Sequence, residues 1–141
     1  MSIVVKTADE TVNNSAALQD DDVLLFAIAA NEKWQFEGTL VVQSAITADF
    51  KMQMAGPASS VGAVAVQAGL ETDTVQYNYA AALTTDIMVA TGANQNIVRF
   101  WGAIANGANA GNVTLKWAQN TAEVSNTVVL AGSYIKYQQQ T

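Results

Sequence analysis

The sequence predicts an all-β protein: a single antiparallel β-sandwich, jelly-roll-like, of about nine or ten short strands. Three observations predict it. Apolar and polar residues alternate with a period of two in Asp49–Ala55, Ile97–Ala105 and Val113–Trp117. Apolar runs recur roughly every 8–12 residues, between turn signals rich in Gly, Asn and Pro. No segment sustains the 3.6-residue period of an amphipathic helix.

Ile3, Val4 and Val5 form a first short strand. Residues 7–22 are polar and turn-rich, with at most a brief strand around Thr11 and Val12. Residues 1–22 therefore read as a polar, acidic segment that adds little to the core and lies at the surface, where its charge stays hydrated. From Val23 to Ala30 both faces are apolar: Leu24, Phe26 and Ile28 on one, Val23, Leu25 and Ala27 on the other. That is the pattern of a strand buried on two sides. Ala and Leu favour helix, but the run is short for a buried helix.

Asn31 to Lys33 makes a turn, and Trp34 to Ser44 returns with Trp34, Phe36, Gly38, Leu40 and Val42 on one face. In Asp49–Ala55, Phe50, Met52 and Met54 point inward, and Gly56-Pro57 ends the strand because proline supplies no ladder donor. Residues 58–69 are small and loosely patterned, a loop with a weak strand at Val64 and Val66. Val75 to Tyr79 alternates, with Val75, Tyr77 and Tyr79 together, and Ile87 to Val89 is a short strand. In Ile97–Ala105, Val98, Phe100 and Ile104 share one face, and Arg99 and Trp101 the other.

Asn106-Gly107 and Ala110-Gly111 punctuate a hairpin loop, after which Val113, Leu115 and Trp117 return along the core. Val128–Leu130 and Tyr134–Tyr137 complete the sandwich, and residues 138–141 fray. Phe26, Phe100, Leu115 and Trp117 are the expected core. No linker or internal repeat divides residues 1–141, so one domain is expected, long enough to bury roughly 68–70% of its unfolded surface without disulfide or metal.

Only 13% of residues are charged, and the net charge is −6 with six basic residues. There is no Lys/Arg cluster to follow a phosphate backbone or an anionic bilayer, so neither nucleic acid nor membrane is expected as a partner. No signal peptide and no membrane-length apolar stretch is read, and a soluble protein is expected. Without Cys or His, the usual zinc ligands, thiol nucleophiles and imidazole bases are gone. No cofactor is expected, and no enzyme.

The adjacent carboxylates Asp20, Asp21 and Asp22 invite a metal-site reading. Hard-cation loops space their ligands, however, and neighbours in an extended chain point to opposite sides. The triplet reads better as a solvated strand boundary that blocks wrong pairing, or as a charged docking element. Glu32 and Glu37 have the residue type for glycoside hydrolysis but no partner signature. Trp34, Trp101, Trp117, Tyr77 and Tyr79 are candidates for stacking on a sugar. Trp117 lies in register with the core, whereas Trp101, beside Arg99, is the better contact residue. Asp20, Asp21, Asp22, Arg99 and Trp101 are the candidate interaction surface.

Two stretches carry a resemblance: Lys6–Val42 with Asp49–Pro57, including "LQDDDVLLFAIAANEKWQFE", and Trp101–Ile135. Together they cover about two-thirds of the chain and resemble small virion structural proteins of tailed bacteriophages, of the capsid decoration or cement type. The resemblance implies a β-sandwich that forms homotrimers and binds the major capsid protein on the capsid exterior after synthesis in the host cytoplasm. It implies no catalytic residue. A head-fibre or tail-associated module binding a host glycan is the alternative of a different class.

Overall fold

In this computed structural model, which describes residues 1–69 and 75–141, every regular element is a strand. The side chains of residues 69–81, and with them the expected face of Val75, Tyr77 and Tyr79, lie outside the described residues. The strands are β1 (Ser2–Val5), β2 (Glu10–Asn13), β3 (Gln19–Ile28), β4 (Lys33–Gln43), β5 (Phe50–Ala55) and β6 (Val61–Gly69), followed by β7 (Val75–Ala82), β8 (Ile87–Val89), β9 (Gln95–Ala105), β10 (Gly111–Gln119), β11 (Asn126–Val129) and β12 (Tyr134–Gln140). Among the described residues twelve strands replace the nine or ten expected, because the stretches read as weak strands around Thr11–Val12 and Val64–Val66 both pair fully.

One sheet has the order β3-β10-β5-β8, and the other contains β4-β9-β6-β7. Its strands thus lie in the matching sequence order, and β3–β4, β9–β10, β5–β6 and β7–β8 each connect the two sheets. Eight strands in two such sheets make a jelly roll. The larger sheet is extended past β4 by β12 and β1, and by β11 and β2, to eight strands.

β6 with β7 is the one pair of consecutive strands bonded to each other among the described residues. Two turn readings change accordingly. The Asn31–Lys33 turn and the Asn106–Ala110 loop are not hairpins: each carries the chain from one sheet to the other. Asn106 holds both connections, its Nδ2 donating to Ala29 O at 2.7 Å and to Asn109 O at 2.8 Å.

The core lies between the sheets, and the period-two pattern places it. Phe26, Phe100, Leu115 and Trp117 are buried, as are Phe50, Met52 and Met54. Strand β3 is buried on one face only: Leu24, Phe26 and Ile28 point inward, while Val23 and Leu25 are half-buried and Ala27 is exposed. A two-layer sandwich has no third layer to cover its outer faces. Gly38 and Gly102 also face inward. Phe36 is the register partner of Gly102, and Phe100 of Gly38, so each ring lies over a glycine on the next strand. A Cβ on Gly102 would stand 2.3 Å from Ala63 O and 2.5 Å from the Phe36 ring.

Three further expectations are corrected. Residues 58–69 contain a full strand, β6, paired along its length with β9. Alanine's small side chains hide it from a hydrophobic reading. The tail is not frayed through 138–140: Gln138, Gln139 and Gln140 pair with Gln35, Trp34 and Lys33. Residues 1–22 are not a thinly anchored surface segment, since β1 and β2 join the large sheet and Val12, Lys6 and Asp21 are buried.

Candidate functional site

Two features gather the residues singled out by the sequence, and they lie apart. The first is a buried ion cluster around Asp21. Alternation carried on from Leu24, Phe26 and Ile28 would turn Asp22 and Asp20 inward, but the phase is reversed here: Asp21 is buried and Asp20 and Asp22 are exposed. Between Leu25, paired with Thr114, and Asp20, paired with Lys116, strand β3 has four residues opposite a single one on β10. This bulge frees backbone N–H groups, and the Asp21 carboxylate collects them: Val23 and Leu24 donate to Oδ1 at 2.9 and 2.8 Å. Trp117 Nε1 donates to Oδ2 at 3.0 Å.

Lys6 Nζ bridges both Asp21 oxygens at 3.0 and 2.9 Å and donates to Glu10 Oε2 at 2.6 Å. Burial pushes the Lys6 ammonium down, but the hydrogen bonds it donates to Glu10 and Asp21, with the attraction of both carboxylates, outweigh that and hold its pKa above the usual 10.5. Burial raises the Glu10 carboxyl above its usual 4.5 against the pull of Lys6, and nearby Asp21 adds to the rise. Gln19 Nε2 donates to the other Glu10 oxygen at 2.8 Å. Both Asp21 carboxylate oxygens have partners, so the cluster fastens the end of β1, β2, β3 and β10 together and offers no open position to a substrate. The solvated-boundary reading holds for Asp20 and Asp22 in position, and it is corrected for Asp21. Sequence reasoning missed Lys6. The available signal was that Lys6 is the one basic residue before Lys33, facing five carboxylates in residues 1–22.

The second feature is the outer face of the eight-stranded sheet. Register sets its rows. Ile3, Lys136, Glu37, Trp101 and Ala65 stand side by side on β1, β12, β4, β9 and β6. The adjacent row is Val5, Tyr134, Thr39, Arg99 and Gln67. Trp101 and Arg99 thus share the face expected of them, and Trp101 is 46% exposed. Ala63, Ala65 and Ala103 around it are too small to cover the indole. The result is an open trough of about 540 Å³ walled by Gln35, Glu37, Lys136 and Gln138.

Nine large hydrophobic side chains are exposed among the described residues, and six of them (Met1, Ile3, Val5, Val61, Ile97 and Trp101) belong to this face or its β1 margin. Isolated exposed apolar residues are ordinary, but a concentration on one flat sheet is the mark of a contact surface. Among the described residues β1 pairs only with β12, so it is also an open edge, and it carries no charged side chain to guard it.

The remaining candidates separate. Trp34 packs against Phe26 and Tyr137, with ring centroids 5.9 Å from each, so it closes the core. Trp117 is core. Glu32 sits in the β3–β4 turn, where the Ala29 N–H, Trp34 Nε1 and Gln139 Nε2 hold its carboxyl below the usual range. Glu37 stands on the outer sheet face, so the two glutamates make no catalytic pair.

No protein-family model matches the sequence, and no curated protein matches it. Solved structures similar to it include one of infectious bursal disease virus, Gx strain, at 11% identity and a TM-score of 0.25. Another is the VP2 subviral particle of infectious bursal disease virus, at 10% identity and a TM-score of 0.26. The alignments cover 98% and 99% of this chain, which spans only 40% and 41% of the length of those chains. Likeness at this level leaves the site to be read from its own residues.

Proposed function

We propose that this protein is a virion structural protein of a tailed phage that decorates the outside of the capsid and stabilises it by bridging major capsid subunits, acting as a homotrimer. The observation that carries the reading is the outer face of the eight-stranded sheet, with Trp101 exposed at its centre on rigid strands. Such a face gains free energy by being covered, and an aromatic anchor on a fixed scaffold is the usual centre of a protein contact. The sequence resemblance and the jelly-roll architecture support the same reading. Mechanically, the protein would add buried area across joints between capsid subunits and so slow their separation.

The test is to mix purified protein with undecorated heads and image them. Hundreds of copies spread over the head, with a raised disruption temperature, are expected. The trough beside Trp101 supports a second reading, a head-fibre or tail-associated module that binds a host glycan through the indole and the neighbouring amides of Gln35 and Gln138. A handful of copies at one virion position, with glycan binding lost in Trp101→Ala, would favour it and overturn the first.

A further inference from the structure

We propose that the outer face of the eight-stranded sheet is the surface on which a second copy of this chain docks, head to tail, through that copy's acidic β2–β3 margin. The proposal deepens the homotrimer in the reading above by naming the two contact surfaces, and it rests on that reading only for its biological setting.

Area comes first. The five strands β1, β12, β4, β9 and β6 at about 4.8 Å spacing, and some nine residues at about 3.3 Å rise, make a face of about 700 Å². That is close to the roughly 800 Å² per partner of a stable interface, so a single protein surface of this size can cover it.

Charge then selects the partner. The face carries Lys33, Arg99 and Lys136 against Glu37, a net +2 in a chain of −6, so the rest of the chain carries −8. Two such faces laid on each other would set six cations against two carboxylates. Head-to-tail docking avoids this, because the excess negative charge of another copy lies outside this face. Asp9, Asp20 and Asp22 are exposed near β2 and the start of β3, while Lys6, one of the two cations of that region, is buried and occupied by Asp21 and Glu10. Lys116 Nζ stands 3.3 Å from Asp20 Oδ1 and offsets one of these charges, so three carboxylates against one ammonium leave the margin net acidic. A head-to-tail contact repeated by rotation closes into a ring.

The experiment measures the mass of the purified full chain by sedimentation velocity across concentration, at low and high salt. Wild type is expected to form a closed oligomer of the 14.9 kDa chain. Trp101→Glu, with dichroism and melting unchanged, should weaken association by about tenfold or more, as loss of a central anchor does. Arg99→Glu and the pair Asp20→Lys with Asp22→Lys should each weaken it at low salt, with a smaller effect at high salt. A wild-type protein that stays monomeric at 100-fold the concentration of the head-binding assay overturns the proposal and the homotrimer with it, while leaving capsid decoration standing. Tighter association of Arg99→Glu overturns it in favour of face-to-face pairing. Wild-type association of the Asp20/Asp22 variant removes the acidic margin as the docking partner. Failure of an oligomeric wild type to bind heads would count against the capsid reading alone.

Discussion

Replacing Asp21 by Ala should be among the most damaging single changes in the chain. The substitution removes the acceptor of Trp117 Nε1 and of the Leu24 N–H, both buried, and the bidentate partner of Lys6. An orphaned buried donor costs at least about 1 kcal/mol, and a lost hydrogen bond to a charged group about 1.5–3 kcal/mol. Two neutral donors and one ammonium give about 4 kcal/mol, in line with the ~3–5 kcal/mol for breaking a buried ion pair on one side. Glu10 stays beside Lys6 and keeps the cost from rising further.

Against a total stability of about 5–15 kcal/mol, that loss is about a quarter or more. It should appear in a urea titration as a lower midpoint with an unchanged slope. Asp20→Ala and Asp22→Ala, at exposed positions, should stay within about 0.5 kcal/mol of wild type. Combining Asp21→Leu with Lys6→Met should recover part of the loss, since apolar groups of similar volume need no partner. If Asp21→Ala costs no more than Asp20→Ala, all three carboxylates are hydrated and the buried cluster is wrong.

Phe100→Ala, which empties a ring site at the middle of β9, should cost about 3–5 kcal/mol by denaturant titration, and a loss below about 1 kcal/mol would mean the ring is not core. Gly102→Ala should cost about 1–3 kcal/mol, because its methyl group meets the Ala63 carbonyl and the Phe36 ring; an unchanged melting temperature would contradict that packing. Glu10 has a raised folded pKa, so its contribution to stability is full below the usual 4.5 and is lost as pH rises through the folded value. Wild type should therefore gain stability relative to Glu10→Gln as pH falls from 7 to 4.5, measured by paired titrations, and a constant difference would remove the linkage.

Local chemistry alone determined a good part of this protein. Side-chain alternation is a property of each strand by itself, so Phe50, Met52, Met54, Val98, Phe100 and Leu115 were assignable to the interior, and Arg99 and Trp101 to one outer face, before any partner strand was known. The same rule required that Asp21 face away from Asp20 and Asp22. Carried on from Leu24, Phe26 and Ile28 it pointed Asp20 and Asp22 inward, and the bulge in β3 reverses that phase. Burying a carboxylate needs Lys6, fifteen residues away, and Trp117, ninety-six residues away, and only the tertiary structure brings them together.

Pairing is likewise a long-range property. Among the described residues a single hairpin joins consecutive strands, so turn signals at Asn31 and Asn106 marked where the chain bends but not that it changes sheet. The alanines of β6 and the glutamines of β12 carry no apolar signature. Their strands form because β9 and β4 offer them unpaired backbone groups. The outer sheet face emerged last, because it is built of side chains from five strands whose adjacency no local pattern encodes.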